Sequence, residues 1–458
     1  VGYTALQNIA ADQGDTYHTC IGYAAGNAIT TATQQTHVGA NAGASVTTGN
    51  NCTFMGYNAG ASTTTGGSNT AVGRASFESN TTGAQNSAVG SSALAANTTG
   101  HSNVAIGAAA LASNTTAISN TAIGRDALYA NTTGQYNTAV GHLSLDANTT
   151  GTQNTAVGYS SMSENTTGGY NTAFGSYALQ SNTTGTNNTA TGYYALHNVT
   201  TASHNTAYGY AAGTAITTGN CNTLFGYNAG RARTTGHNMT AIGCTSLYNA
   251  TTADQCVGVG DATLYSNVTG INNVGVGTNA LYSCTSDNNT AVGRYSNMLL
   301  TTGHNNHSFG TNSGYHTTTG NYNVNLQGQP SSATASNEIT LGDTSHTTLR
   351  CNDTSIGSLS DRRDKTDIID LPVGLDFLNT LKPRQFKWKT RDGNIKDGST
   401  RCGFIAQEFQ ESQKSYRYLK LVHDENENRL EANEGHLIPL LVKAIQELSA
   451  KVTALEAA

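Results

Sequence analysis

Few side chains in the long first part of this sequence have the type and spacing for chemistry. Asp146 and Glu164 stand 18 residues apart in a chain that repeats itself every 17, so they fall on neighbouring units nearly in column. Paired carboxylates about 5–9.5 Å apart cut glycosidic bonds, so a glycan-cutting pair is conceivable there, against accidental placement on a surface poor in acids. His304, His307 and His316 crowd the end of the repeat region and could meet a metal around a threefold axis. They lack the spacing of an established site, and polar surface histidine is the plainer reading. Asn80, Asn97, Asn114, Asn131, Asn148, Asn165 and Asn182 each open an Asn-Thr-Thr triplet, a formal N-glycosylation acceptor. The competing reading is a turn whose Asn and Thr stack into hydrogen-bonded ladders. The Thr columns could also offer a flat face to ice or a polysaccharide, and Tyr159, Tyr177, Tyr193 and Tyr227 could stack on sugars. The 8 Cys form no CxxC pair and read as small apolar fillers, with a disulfide framework as the alternative. No residue is assigned to a metal or a cofactor.

The elements that must position these groups come from the repeat. Gly22, Gly39, Gly56, Gly73, Gly90 and onward to Gly277 recur at intervals of 17, then Gly293 comes one residue early and Gly310 is back on step. A period held so strictly describes stacked coils of a solenoid, because independent domains tolerate insertions that stacked coils do not. Within each unit a five-residue phrase such as Asn103-Val104-Ala105-Ile106-Gly107 is short, β-prone and alternating. Its alternation predicts Val104 and Ile106 on the inward face and Asn103, Ala105 and Gly107 on the other, where the small Ala would admit another chain. Four residues past each Gly a second apolar column, Phe77, Leu94, Leu111, Leu128, Leu145, Met162, Leu179 and Leu196, completes a thin core. Asn-Thr-Thr-Gly then supplies a turn.

Charge divides the chain. Residues 1–359 carry 6 Lys+Arg and 12 Asp+Glu, none of them Lys, leaving 16 of each sign for residues 360–458. A net charge of −6 offers no basic footprint, so no nucleic-acid partner is expected. No apolar run approaches the roughly 18 residues of a membrane span. The sequence opens without Met, inside what reads as the second half of a unit, so the original N-terminus is expected to be missing, with an anchor to a virion or cell surface beyond it.

Asn103–Gly107 and its variants resemble the head repeats of trimeric autotransporter adhesins, over roughly residues 1–325. That resemblance implies left-handed parallel β-rolls joined as trimers, although the unit here is longer. After Pro330 the repeat lapses, and residues 336–351 read as two short strands of a neck. The stretch beyond, SLSDRRDKTDI (358–368), LDFLNTLKPRQFKWK (375–389), GFIAQE (403–408) and HLIPLLVKAIQELSAKVTALE (436–456), resembles in order the intramolecular chaperone domain of endosialidases and other phage tail fibres and spikes. The resemblance implies a domain that trimerises, helps the preceding β-structure fold and then cuts itself away. Carried onto this chain, Ser360 is the nucleophile, Lys365 its general base and Leu359–Ser360 the bond cut, once per chain and with no turnover of other substrates. A Lys takes a hydroxyl proton only when desolvation lowers its pKa, and Asp364 beside Lys365 opposes that by favouring the charged ammonium. The alternative is an exposed charged turn without catalysis.

In the last helix Ile438, Ile445 and Val452 occupy one heptad position and Leu441, Leu448 and Leu455 the other. Ile or Val with Leu in that order leans to two strands, whereas the family resemblance implies three, and three is the expectation. The expected organisation is therefore a mainly β, trimeric parallel β-solenoid over residues 1–329, a β neck and linker over 330–359, and a small α+β chaperone domain over 360–458 with a terminal coiled-coil helix at 436–458. The function expected is an extracellular attachment fibre of a virus or phage that meets a host surface glycan or protein receptor. A cellular surface adhesin or filament subunit that keeps its tail is the alternative, and a glycan-degrading spike a third.

Overall fold

In the computed structural model, residues 2–8, 16–343, 345–346, 362–387, 400–423 and 430–457 are described. The chain divides into two units, Val1–Leu341 and Gly342–Ala458.

The first unit is one parallel sheet of twenty three-residue strands, from Thr19–Ile21 to Ile339–Leu341, each paired with its neighbour in sequence. The register is the period: Val104, Ala105 and Ile106 lie beside Thr121, Ala122 and Ile123. At about 4.8 Å per step, nineteen steps give a solenoid roughly 90 Å long. The short unit keeps the ladder, since Val274 still pairs with Thr290. Its missing residue is taken from the turn between Cys284 and Asn289, where no strand pairing is at stake. Of the stretch expected as a neck, Ile339–Leu341 joins the same ladder beside Val324–Leu326, while residues 347–361 lie outside the described ones.

Every strand of this sheet but Val324–Leu326, which runs into Gln327, is followed by a glycine, for two reasons visible at Gly107. Its φ of +138° belongs to a region that side chains rarely adopt, and a Cβ there would stand 2.4 Å from the Gly124 carbonyl oxygen. The turn that follows forces left-handed backbone on ordinary residues as well, Ser92 at 56° and Leu94 at 52° among them. Such residues cost roughly 1–2 kcal/mol each. Burying the leucine, worth about 1.5–3 kcal/mol, and a bond from its N–H to the Ala110 carbonyl at 2.9 Å offset the cost within the same turn.

The core reverses one expectation. Asn103 and Ala105 are fully buried, whereas Ile106 is 42% exposed. The Leu column faces inward as expected, and this decides the matter. Leucines entering from the turn already fill the thin interior, leaving room opposite only for Ala. The Ala column therefore closes the core, and no second chain can use it.

The volume bookkeeping is visible where the pattern changes. In the coils of Phe54 and His37 the Leu position is glycine, and a Cβ on Gly60 or Gly43 would collide with those rings at 2.8 and 2.0 Å. Large-with-glycine thus replaces small-with-leucine, and the layer keeps its volume.

Buried asparagines run beside this core in two ladders. In the turn, Asn97 donates through Nδ2 to Asn80 Oδ1 at 3.0 Å and to the Gly100 carbonyl at 3.1 Å, and Asn114, Asn131, Asn148, Asn165 and Asn182 continue the series. In the strand, the N–H of Asn103 donates to Asn86 Oδ1 at 2.9 Å. The turn ladder stops where Val199 takes the next place, and Asn182 Oδ1 is left buried without a partner. Further along, Arg233 occupies the same column, donating to the Ala253 and Gly236 carbonyls at 2.7 and 2.9 Å.

The second unit has its own small core of Val373, Phe377, Leu381, Phe409, Leu419, Leu421, Val422, Leu437 and Leu440. An antiparallel pair, Arg384–Lys387 with Thr400–Gly403, is tied to a helix over Ala406–Ser412 by the Arg384–Glu408 ion pair at 2.6 Å, and a long helix follows over Leu437–Glu456. Glu447 on the long helix accepts the Leu375 N–H at 2.8 Å, tying it to the short helix Leu375–Leu378.

Candidate functional site

With Ala turned inward, the third residue of every strand is turned out. That column reads Ile21, Val38, Met55, Val72, Val89, Ile106, Ile123, Val140, Val157 and Phe174, then Thr191, then Tyr208, Phe225, Ile242, Val259, Val276, Val292, Phe309, Leu326 and Leu341. Thr191 is its one polar member. The side chains stack at the strand spacing, so they form a continuous apolar ridge along the solenoid, with Ile21, Met55, Ile106, Phe174, Phe309 and Leu341 among its exposed members. Soluble monomers rarely leave so long an apolar strip uncovered, and strips of this kind mark association surfaces.

Sequence reasoning named these residues but placed them inside. The signal that would have corrected it lies in the exceptions. Phe54 and His37 stand in the Ala column only where Gly60 and Gly43 stand in the Leu column, which means that the two columns share one space.

The second unit carries a comparable surface. On the helix Leu437–Glu456, Leu437, Leu440 and Ala444 are buried, and the residues expected to trimerise, Ile438, Leu441, Ile445, Leu448, Val452 and Leu455, are exposed. Ile445, at 65%, faces away from the unit's own core. Of the proposed cutting groups, Leu359 and Ser360 lie outside the described residues, as does the side chain of Asp364. Lys365 follows a tight turn over Arg362–Asp364, its N–H donating to the Arg362 carbonyl at 3.3 Å, and its side chain is exposed.

The other candidates resolve into the solenoid. The Asn-Thr-Thr amides are buried ladder members with both Nδ2 hydrogens committed at Asn97 and Asn148, which leaves no nitrogen for a glycan. Burial pushes the Asp146 carboxyl up to about 6, Asp126 adding to the rise and His142 opposing it. His304 and His316 stand against Tyr322 and Tyr315 at 5.3 and 5.0 Å, and His307 opens the strand His307–Phe309. Among the described residues no group of three or more His, Cys, Asp or Glu is placed to hold a metal. Cys52, Cys256 and Cys284 are buried in the core, and no disulfide joins the described cysteines. No helix among the described residues is long and apolar enough to cross a membrane.

Comparison with known proteins places the C-terminal unit. Residues 360–426 match the family described as Chaperone of endosialidase. No curated protein and no solved structure matches the chain. A β-solenoid of repeats followed by this domain fits a protein of the phage tail fibre or spike type.

Proposed function

We propose that three copies of this chain form an attachment fibre of a virus or phage, and that the C-terminal domain aligns them and then leaves by self-cleavage. The apolar ridge carries the reading. Three solenoids side by side, each turning its ridge to a common axis, would cover it along its whole length. The ridge also explains why an alignment domain is needed. Its members are nearly all Val, Ile or aromatic, and the coil-to-coil differences at Phe54, Gly60 and Arg233 are hidden inside each chain. A partner displaced by one coil would therefore meet almost the same surface, unlike a one-residue slip in an ordinary sheet. Joining three chain ends at the exposed face of the helix Leu437–Glu456 sets the offset to zero and raises the effective concentration of the rest.

For cleavage, the Ser360 hydroxyl attacks the Leu359 carbonyl carbon. Lys365 Nζ takes the hydroxyl proton and passes it to the departing Ser360 nitrogen, and water then hydrolyses the Leu359 ester. Lys365 is exposed in the single chain, so the desolvation it needs would come from the assembled domain, and cutting would follow trimer formation. Release of the aligning domain removes the route back, and the fibre's persistence becomes kinetic.

The experiment is a denaturing gel beside sedimentation of purified protein. Two fragments and a trimer are expected for the wild type, and one band, still trimeric, for Ser360→Ala. A monomer in both, or a single uncut band in both, would sink the corresponding half of the proposal.

A further inference from the structure

A second exposed strip differs from the ridge in position and in chemistry. Tyr159, Tyr193, Tyr210 and Tyr227 occupy the place just after the strand glycine in their coils, and Tyr177 and Tyr194 the place after that. Their rings touch in one unbroken series. Tyr159 meets Tyr177 at 5.2 Å, Tyr177 meets Tyr194 at 5.1 Å, Tyr194 meets Tyr193 at 4.2 Å, and Tyr193 continues to Tyr210 and Tyr227 at 5.5 and 5.3 Å. The coil does not need them, because Ala108 and Ser91 fill the first place elsewhere and Ala109 and Ser92 the second. Tyr159, Tyr193, Tyr210 and Tyr227 are all exposed. Six aromatic rings held at the surface without a structural duty are a binding feature.

The surroundings define the partner. From residue 165, just past Glu164, to residue 230 there is no Asp, Glu, Lys or Arg at all, and the polar side chains that remain are chiefly Tyr, Thr, Ser and Asn, with Gln180, His197 and His204. A polyanion or a charged peptide would find no counter-charge on this stretch, and binding it would strip water from its charges without return. An uncharged glycan chain fits instead. Its C–H faces pack on aromatic rings, its hydroxyls exchange hydrogen bonds with neutral donors and acceptors, and it pays no charge desolvation. Tyr159–Tyr177 and Tyr193–Tyr194 meet edge-on, while Tyr193, Tyr210 and Tyr227 stack from coil to coil at 5.5 and 5.3 Å, close to the length of one pyranose unit, so successive sugars can meet successive coils.

We infer that the tyrosine strip of residues 159–227 is a binding surface for an uncharged polysaccharide, lying along the fibre axis. The inference rests on the attachment reading above and names the class of its receptor.

The test uses the wild-type fibre, as it assembles, and a variant carrying Tyr193→Ser, Tyr194→Ala and Tyr210→Ala. Maltohexaose, mannohexaose, cellohexaose and galactohexaose serve as uncharged probes, with oligosialic acid and a heparin hexasaccharide as charged ones. Binding is read by calorimetry and by quenching of tyrosine fluorescence. At least one uncharged hexasaccharide is expected to bind the wild type, at least tenfold more weakly to the variant, with neither charged probe binding through these residues. Absence of binding by every uncharged probe, binding unchanged in the variant, or a preference for the charged probes overturns the inference. Sedimentation of both proteins keeps the two proposals apart: an intact trimer without glycan binding removes only this inference, whereas loss of the trimer in the wild type removes the fibre reading first.

Discussion

The Phe54 ring fills the space that a Cβ on Gly60 would enter, 2.8 Å from its Cδ1, and in the coil of Leu94 the same space is shared by Ala88 and leucine. Left-handed backbone at this turn position is compatible with leucine, since Leu94 has φ 52° and Gly60 φ 59°. Gly60→Leu should therefore fail by overpacking alone, costing about 3 kcal/mol. The double variant Phe54→Ala with Gly60→Leu should recover most of that loss in denaturant melts. A double variant no better than the single would mean that the two columns do not share one space.

Asn131 sits in the middle of the turn ladder, donating to Asn114 Oδ1 at 3.1 Å and accepting from Asn148 at 2.8 Å. Asn131→Ala strands a buried amide on each side and should cost roughly 2–4 kcal/mol, from about 1–3 kcal/mol per unsatisfied group. Asn182→Ala, at the ladder's end where Oδ1 already lacks a partner, should cost less. Equal losses on chemical denaturation would show that the ladder is not cooperative.

Ile106 and Ile123 lie side by side on the ridge, outside the core. Ile106→Asp with Ile123→Asp should leave the single solenoid folded, with unchanged far-ultraviolet dichroism, while weakening lateral association at least tenfold by sedimentation. The same pair of changes at Ala105 and Ala122, fully buried, should abolish folding instead. A ridge variant that assembles normally would assign association elsewhere.

Asp146 gives the solenoid a pH dependence of known sign. Its folded-state pKa is raised from 3.8 to about 6 by burial, with Asp126 adding to the rise, so the native state binds the proton more tightly than the unfolded chain. Its contribution is favourable at pH 4 and is lost as pH rises through about 6. Asp146→Asn should stabilise the fibre unit by about 1–2 kcal/mol at pH 7, discounted for partial exposure, and by almost nothing at pH 4. Melting temperatures of the two proteins across that range check it.

The period, the solenoid it builds, the inward leucines and the kind of domain that follows were all legible in the sequence. Each is written many times over, as in the march from Gly22 to Gly277, or in a long ordered series of motifs after residue 358. The direction of the strand faces was not legible. A phrase such as Thr138-Ala139-Val140 has one small apolar residue on one face and a larger one on the other, and period-two alternation accepts either as the inside. Only packing in three dimensions decides between them. The leucines arriving from the turn consume the interior volume, so Ala is what fits and Val and Ile are left on the surface. That single steric choice turns an expected core column into an exposed apolar ridge, and it leaves the tyrosines of residues 159–227 beside one another across coils where the linear chain keeps most of them well apart.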